Sequence, residues 1–161
     1  MAGLLAERLA KLVSKAKGSE FWISKTIVSS TLLTTAQDLT GTATGRLYVK
    51  QIIVKSDATG LVGPTNFEIL SNNAKGLVNI FVETVANLAS AVKTHVLNGA
   101  GINADTTTVD GVASVTAVPT ILEAGKKLQY IGTGSAGTGA GTVDVFVLLQ
   151  RIDEGAELSV A

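Results

Sequence analysis

The 161-residue chain contains no cysteine, so neither a disulfide framework nor a thiolate metal site can hold it together. It has one histidine, His95, and only 4% of its residues are aromatic. A Ser–His–Asp triad would therefore have to use His95, and no G-x-S-x-G elbow marks a nucleophile for it. Scarce aromatics leave little to stack on nucleic-acid bases. Thirteen basic residues balance thirteen acidic ones, so no net field draws the chain to nucleic acid or anionic lipid. No apolar run reaches the roughly 18 residues of a membrane span. Charges interrupt the N-terminal apolar residues every few positions, unlike a secretory leader, and the expectation is a protein made and used without secretion. Any partner is expected to be held by shape and apolar contact.

What the chain does have is bulk without rings or charge. Hydrophobic residues make up 46% of it, mostly Val, Ile, Leu and Ala, joined by many Thr and seventeen Gly. The β-branched members favour pleated, half-buried surfaces, and Gly and Asn serve turns. A chain of this length suits one domain with a short appendage.

Residues 2–17 read as an amphipathic helix. Leu4, Leu5, Leu9, Leu12, Val13 and Ala16 fall at three- and four-residue spacings, with Glu7, Arg8, Lys11 and Lys15 on the other side and Gly18 as a stop. A helix this short is marginal alone, so its stripe must pack on its own domain, a partner surface or a sister subunit. Membrane docking is disfavoured, since the stripe has no aromatic anchor. Between positions 1 and 25 five basic residues face two acidic ones, whereas near the end Arg151 faces Asp153, Glu154 and Glu157. The expected division is a helical arm over 1–20, a β-sandwich over 21–153 and a tail over 154–161.

From Phe21 onward the pattern is that of strands, expected over residues 21–28, 31–35, 46–56, 66–70, 77–82, 127–133 and 142–152. In RLYVKQIIVKS, strict alternation puts Leu47, Val49 and Ile53 on one face and Tyr48, Lys50, Ile52 and Val54 on the other. In the last strand, Val143, Val145, Val147 and Leu149 alternate with Asp144, Phe146, Leu148 and Gln150. A strand with apolar residues on both faces is covered on both sides, by a second sheet or by a neighbour. Residues 83–97 match both a helical stripe and a strand, and a loop or single helical turn leading into a strand from about Val92 is favoured. Residues 99–118 are expected to form a long surface loop. Turn clusters such as Asp57-Ala-Thr-Gly60 and Glu123-Ala-Gly125 separate the strands, which indicates an all-β, antiparallel sandwich, jelly roll or barrel.

No motif points to chemistry. Gly132, Gly134 and Gly137 match the G-x-G-x-x-G spacing of dinucleotide sites, but that chemistry needs a helix to follow, and residues 142–149 read as a strand. A Gly/Ser/Thr hairpin loop is the expectation. Asp105 and Asp110 lack the dense alternation of oxygen donors seen in calcium loops, and the other carboxylates are scattered. No enzyme activity, cofactor or metal is expected.

The order of pieces from about Thr31 to Ile152 resembles small phage virion proteins with a jelly-roll β-sandwich. A Gly/Thr turn leads into a long strand (TGTATGRLYVKQIIVKS), a short strand ends in a Leu-Glu-Ala-Gly turn (PTILEAGKKLQYIGT), and a Gly-rich loop precedes the closing strand (GTVDVFVLLQRI). The resemblance is to bacteriophage capsid decoration, or cement, proteins. It implies a homotrimer, made in the host cytoplasm, that sits on the outer capsid surface, contacts the major capsid protein and bridges shell subunits. Leu5, Arg8, Leu9, Lys11, Leu12, Val13 and Lys15 are then the candidate attachment residues. Competing readings on the same body are a receptor- or glycan-binding head or tail fibre domain, a sandwich hydrolase and a shell-forming capsid protein.

Overall fold

In β1 (Glu20–Val28), Glu20, Trp22, Ser24, Thr26 and Val28 are exposed, while Phe21, Ile23, Lys25 and Ile27 turn inward. This two-residue period is that of a strand with one buried face. The computed structural model describes residues 15–73, 76–88, 94–98, 102–105 and 120–161. Residues 2–14 of the expected N-terminal helix, and with them Leu5, Arg8, Leu9, Lys11, Leu12 and Val13, lie outside the described residues, and residues 15–17 lie in a turn.

Two antiparallel sheets make up the structure, with almost no helix. In the larger one, β10 (Thr142–Arg151) lies between β1 and β3 (Leu47–Ser56). The far side of β3 is shared: β6 (Thr94–Asn98) pairs with residues 51–55 and β8 (Thr120–Leu122) with residues 47–49. β7 (Ile102–Asp105) follows β6. The smaller sheet runs β2 (Gln37–Asp38), β9 (Leu128–Thr133), β4 (Asn66–Asn73), β5 (Gly76–Thr84).

The inner faces share one core. β10 contributes Val143, Val145, Val147 and Leu149, and β3 contributes Leu47, Val49, Ile52 and Val54. Opposite them the Phe67 ring meets Phe81 edge-on and Tyr130 at a tilt, with centroids 6.4 Å apart in each case. Burying each large apolar side chain is worth about 1.5–3 kcal/mol, the main force holding the layers together.

The structure corrects the faces expected for β3. Leu148 stands opposite Gln51 and Leu149 opposite Val49, so Lys50 is an extra residue in a β-bulge. Past the bulge the parity reverses: Ile52 and Val54 join Leu47 and Val49 in the core, and Ile53 points outward. Strict alternation could not show this, because one added residue exchanges the two faces.

Three other expectations change. Residues 31–35 do not form a strand; Ser29–Thr31 is a 3₁₀ turn. Thr31 Oγ1 donates to the Val28 carbonyl at 2.8 Å, and the Gln37 side chain bridges the Leu33 amide and the Thr31 carbonyl. Local hydrogen bonds thus satisfy a β-branched run and turn the chain toward the second sheet. Within the expected 99–118 loop, residues 102–105 form β7, paired with β6 so that His95 stands opposite Asp105. The glycine-rich stretch after β9 is not a hairpin, since β9 and β10 belong to different sheets. It crosses between them, and its backbone bonds to Ser29, Ser30, Leu32 and Val62. A Cβ on Gly137 would run into the Ser29 carbonyl, so the glycine serves close backbone approach. The favoured reading of residues 83–97 agrees with a single turn, α1 (Val85–Leu88), followed by β6.

Candidate interaction surfaces

On the outer face of the larger sheet, the register sets Trp22 beside Leu148, and Phe146 between Ser24 and Ile53. Phe146, Leu148 and Ile53 are half-buried, and Trp22 is 50% exposed. These four side chains occupy adjacent rows and form one apolar strip. Polar pairs border it: Lys50 Nζ contacts Glu20 at 2.6 Å, and Thr26 Oγ1 donates to Asp144 at 2.6 Å. Tyr48 and the exposed Ile121 extend the apolar character along β3 and β8. A large apolar patch rimmed by polar residues is the mark of an association surface.

A second surface lies where residues 15–19 and the C-terminal segment meet the end of β10. Gly18 N donates to the Arg151 carbonyl at 2.8 Å and Arg151 N to the Ser19 carbonyl at 2.9 Å, while Gly155 N donates to the Lys15 carbonyl at 2.9 Å. Lys15, the one predicted attachment residue among those described, is exposed and ion-paired with Glu157. The hydrogen bond from Lys15 holds the Glu157 carboxyl below its ordinary pKa. Solvent screens such a pair, so it contributes little to stability. Ala156 and Leu158 are buried in the core, and Thr40 bridges to Val160, so the last residues pack along the body.

Arg151 is only 8% exposed. Its Nε donates to the Ala156 carbonyl at 2.8 Å, its Nη1 to Ser19 Oγ at 3.1 Å, and its guanidinium lies 4.2 Å from the centre of the Phe21 ring. Nearby, Arg46 grips Asp153 through two nitrogens at 2.7–3.2 Å and through its backbone amide at 2.9 Å. The hydrogen bonds from Arg46 bring Asp153 down to a pKa of about 2.

Sequence reasoning anticipated that β10 is apolar on both faces, but not which residues of β1 and β3 join it. Trp22 required the β1–β10 register, and Ile53 required the bulge. Nothing in the sequence marked Arg151. Among the described residues, no three His, Asp or Glu side chains cluster as a metal site would need, and no helix is long and apolar enough to cross a membrane.

No family model matches the chain, and no curated protein matches it. Solved structures similar to it include a chain of the cyanophage Pam1 capsid asymmetric unit, at 15% identity over 84% of this chain and 86% of that one, TM-score 0.42. Another is from the acid-stable capsid of Helicobacter pylori bacteriophage KHP30, at 6% identity over 91% and 97%, TM-score 0.44. A third is from Bacillus endospore appendages, a family of disulfide-linked pili, at 11% identity over 86% and 94%, TM-score 0.34. Likeness at these values assigns no function.

Proposed function

We propose that this chain is a non-catalytic virion structural protein that binds the outer surface of an assembled phage capsid and stabilises it by bridging shell subunits. The observation that carries this reading is the apolar strip of Trp22, Ile53, Phe146 and Leu148, framed by polar pairs on the outer sheet face. Such a face suits adhesion to a broad surface rather than enclosure of a small substrate. The strand order supports the jelly-roll reading: β1, β10, β3 and β6 lie side by side in one sheet and β2, β9, β4 and β5 in the other. Because a fold alone does not fix function, the strip bears the greater weight.

In this reading the major capsid protein is the partner and the protein acts as a homotrimer. Three modest contacts on one rigid body act as linked binding events. A bridge that binds only the assembled lattice stabilises it by mass action. The arm residues Leu5, Arg8, Leu9, Lys11, Leu12, Val13 and Lys15 add a second contact. Because residues 15–19 are hydrogen-bonded to the body, a deletion that isolates the arm removes residues 1–14 only.

The test is co-sedimentation with empty capsids. Replacing Trp22 and Leu148 together by Ser is expected to weaken capsid binding by at least about tenfold, as loss of a central aromatic anchor does, while the melting temperature stays near that of the parent. Undiminished binding would reject the strip, and undiminished binding after deletion of residues 1–14 would reject the arm. The exposed indole of Trp22 is also the feature that favours the alternative, a glycan-binding fibre domain. Specific retention on a glycan array, without capsid binding, would select it.

A further inference from the structure

Arg151 lines a concavity of about 350 Å³ together with Phe21, Thr42, Thr44, Glu157 and Ser159. Three facts about its guanidinium stand together. The residue is more than nine-tenths buried, its guanidinium carbon lies over the Phe21 ring at 4.2 Å from the centre, and no carboxylate lies within ion-pair distance of it among the described residues. Of its nitrogens, Nε and Nη1 have protein acceptors, and Nη2 has none among the described residues. The facing negative charge, Glu157, is itself ion-paired with Lys15, and the planar guanidinium fork, with Nη2 still without an acceptor among the described residues, matches a carboxylate in two parallel hydrogen bonds.

We infer that this concavity binds a carboxylate group, with Arg151 as its anchor and the hydroxyls of Thr42 and Ser159 as further donors. The Phe21 ring packs against the guanidinium, and the Ala156 carbonyl and Ser19 hydroxyl fix its rotation. The orientation is therefore set before a ligand arrives, which lowers the entropic cost of binding. Glu157, on the lining and ion-paired with Lys15, selects among anions. One added negative charge is balanced by Arg151, whereas a doubly charged oxyanion meets repulsion from Glu157. The carboxylate is either that of a free small acid or that of an acidic side chain on a protein partner. The inference does not rest on the capsid reading, and either can fail alone.

The test is an amide and arginine-Nε NMR titration of the full chain at constant ionic strength, with acetate, a capped Gly-Glu-Gly peptide and sulfate as probes. Acetate and peptide are expected to give saturable shifts at Arg151 Nε and at the Ser19 and Ser159 amides, with sulfate weaker by about tenfold or more. A peptide that binds about tenfold tighter than acetate assigns the site to a protein side chain, and equal affinities assign it to a small acid. No saturable shift with either carboxylate, or sulfate binding as tightly as acetate, would overturn the inference. Arg151→Lys keeps the charge but loses the fork, and is expected to weaken acetate at least about tenfold. If that variant does not fold, Glu157→Gln decides the matter: it should bring sulfate to within about threefold of acetate, and an unchanged preference would overturn the proposal.

Discussion

Both faces of β10 carry large apolar side chains, set against two different neighbours. Its inward residues Val143, Val145, Val147 and Leu149 are at most 1% exposed and pack on the second sheet. Its outward residues Asp144, Phe146, Leu148 and Gln150 are all half-buried and, among the described residues, lie beside β1 and β3. The larger apolar groups of the strand are thus divided: Leu149 lies in the core, and Phe146 and Leu148 lie on the outer face. Hydrophobicity alone does not separate a core from an interface. What separates them is whether a second layer of the same chain lies above.

The sharpest way to break that division is to shift the parity of the neighbouring strand. Deleting Ile53 would turn Val54 and Ser56 out of the core and move Lys55 into it, because each following side chain changes face. Loss of cooperative unfolding and of the folded NMR spectrum is the expected result. Deleting Lys50 is expected to behave oppositely. It removes the bulge, leaves Val49 inward, Gln51 outward and Ile52 inward, and gives up only an exposed ion pair with Glu20. A cooperative transition in urea should survive in this variant alone; if both deletions fold equally well, the bulge does not set the faces.

A smaller effect compares adjacent residues. Leu149→Ala is expected to cost about 2–5 kcal/mol, the range for buried leucines, through lost burial and a residual cavity. Leu148→Ala should cost less than about 1 kcal/mol, since its side chain is only half covered. Equilibrium urea denaturation measures both. Comparable losses would mean that the outer face is as much a core as the inner one.

How legible this was in the sequence depended on where the controlling contact lay. The inner and outer rows of β10 were readable from residues 142–151, because no irregularity interrupts their alternation. In β3 the same reasoning placed Ile52, Ile53 and Val54 on the wrong faces, since the bulge at Lys50 arises only in pairing with Leu148 and Leu149. Thr31 to Thr35 had the composition of a strand, yet the Gln37 side chain and the Val28 carbonyl satisfied its backbone and hydroxyls locally. Of the candidate surfaces, half of the outer strip was visible in Phe146 and Leu148. Trp22 and Ile53 needed the strand order, and Arg151 needed the packing of Phe21, Ser19 and Ala156, which are distant from one another in sequence.

The smallest expected effect concerns the end of the same sheet, where β3 begins and β10 has just ended. There Arg46 and Asp153 close the strand pair through charge rather than burial. The Asp153 carboxyl lies at a pKa of about 2 against an ordinary 3.8, because the Arg46 side chain and amide donate to its ionised form. A depressed folded-state pKa stabilises the fold above the unfolded value and loses that contribution as pH falls through the folded one. The window for Asp153 therefore runs from about pH 4 down to about pH 2. Both partners are exposed, so screening keeps the effect on stability small. The direct measurement is a carboxyl carbon NMR titration: Arg46→Ala should move the Asp153 midpoint up toward 3.8. The core resonances of Val145 and Val147 should stay unchanged above pH 4. If the midpoint already lies near 3.8 in the parent, the two ends are held by the apolar rows alone, and charge has no part in closing the sheet.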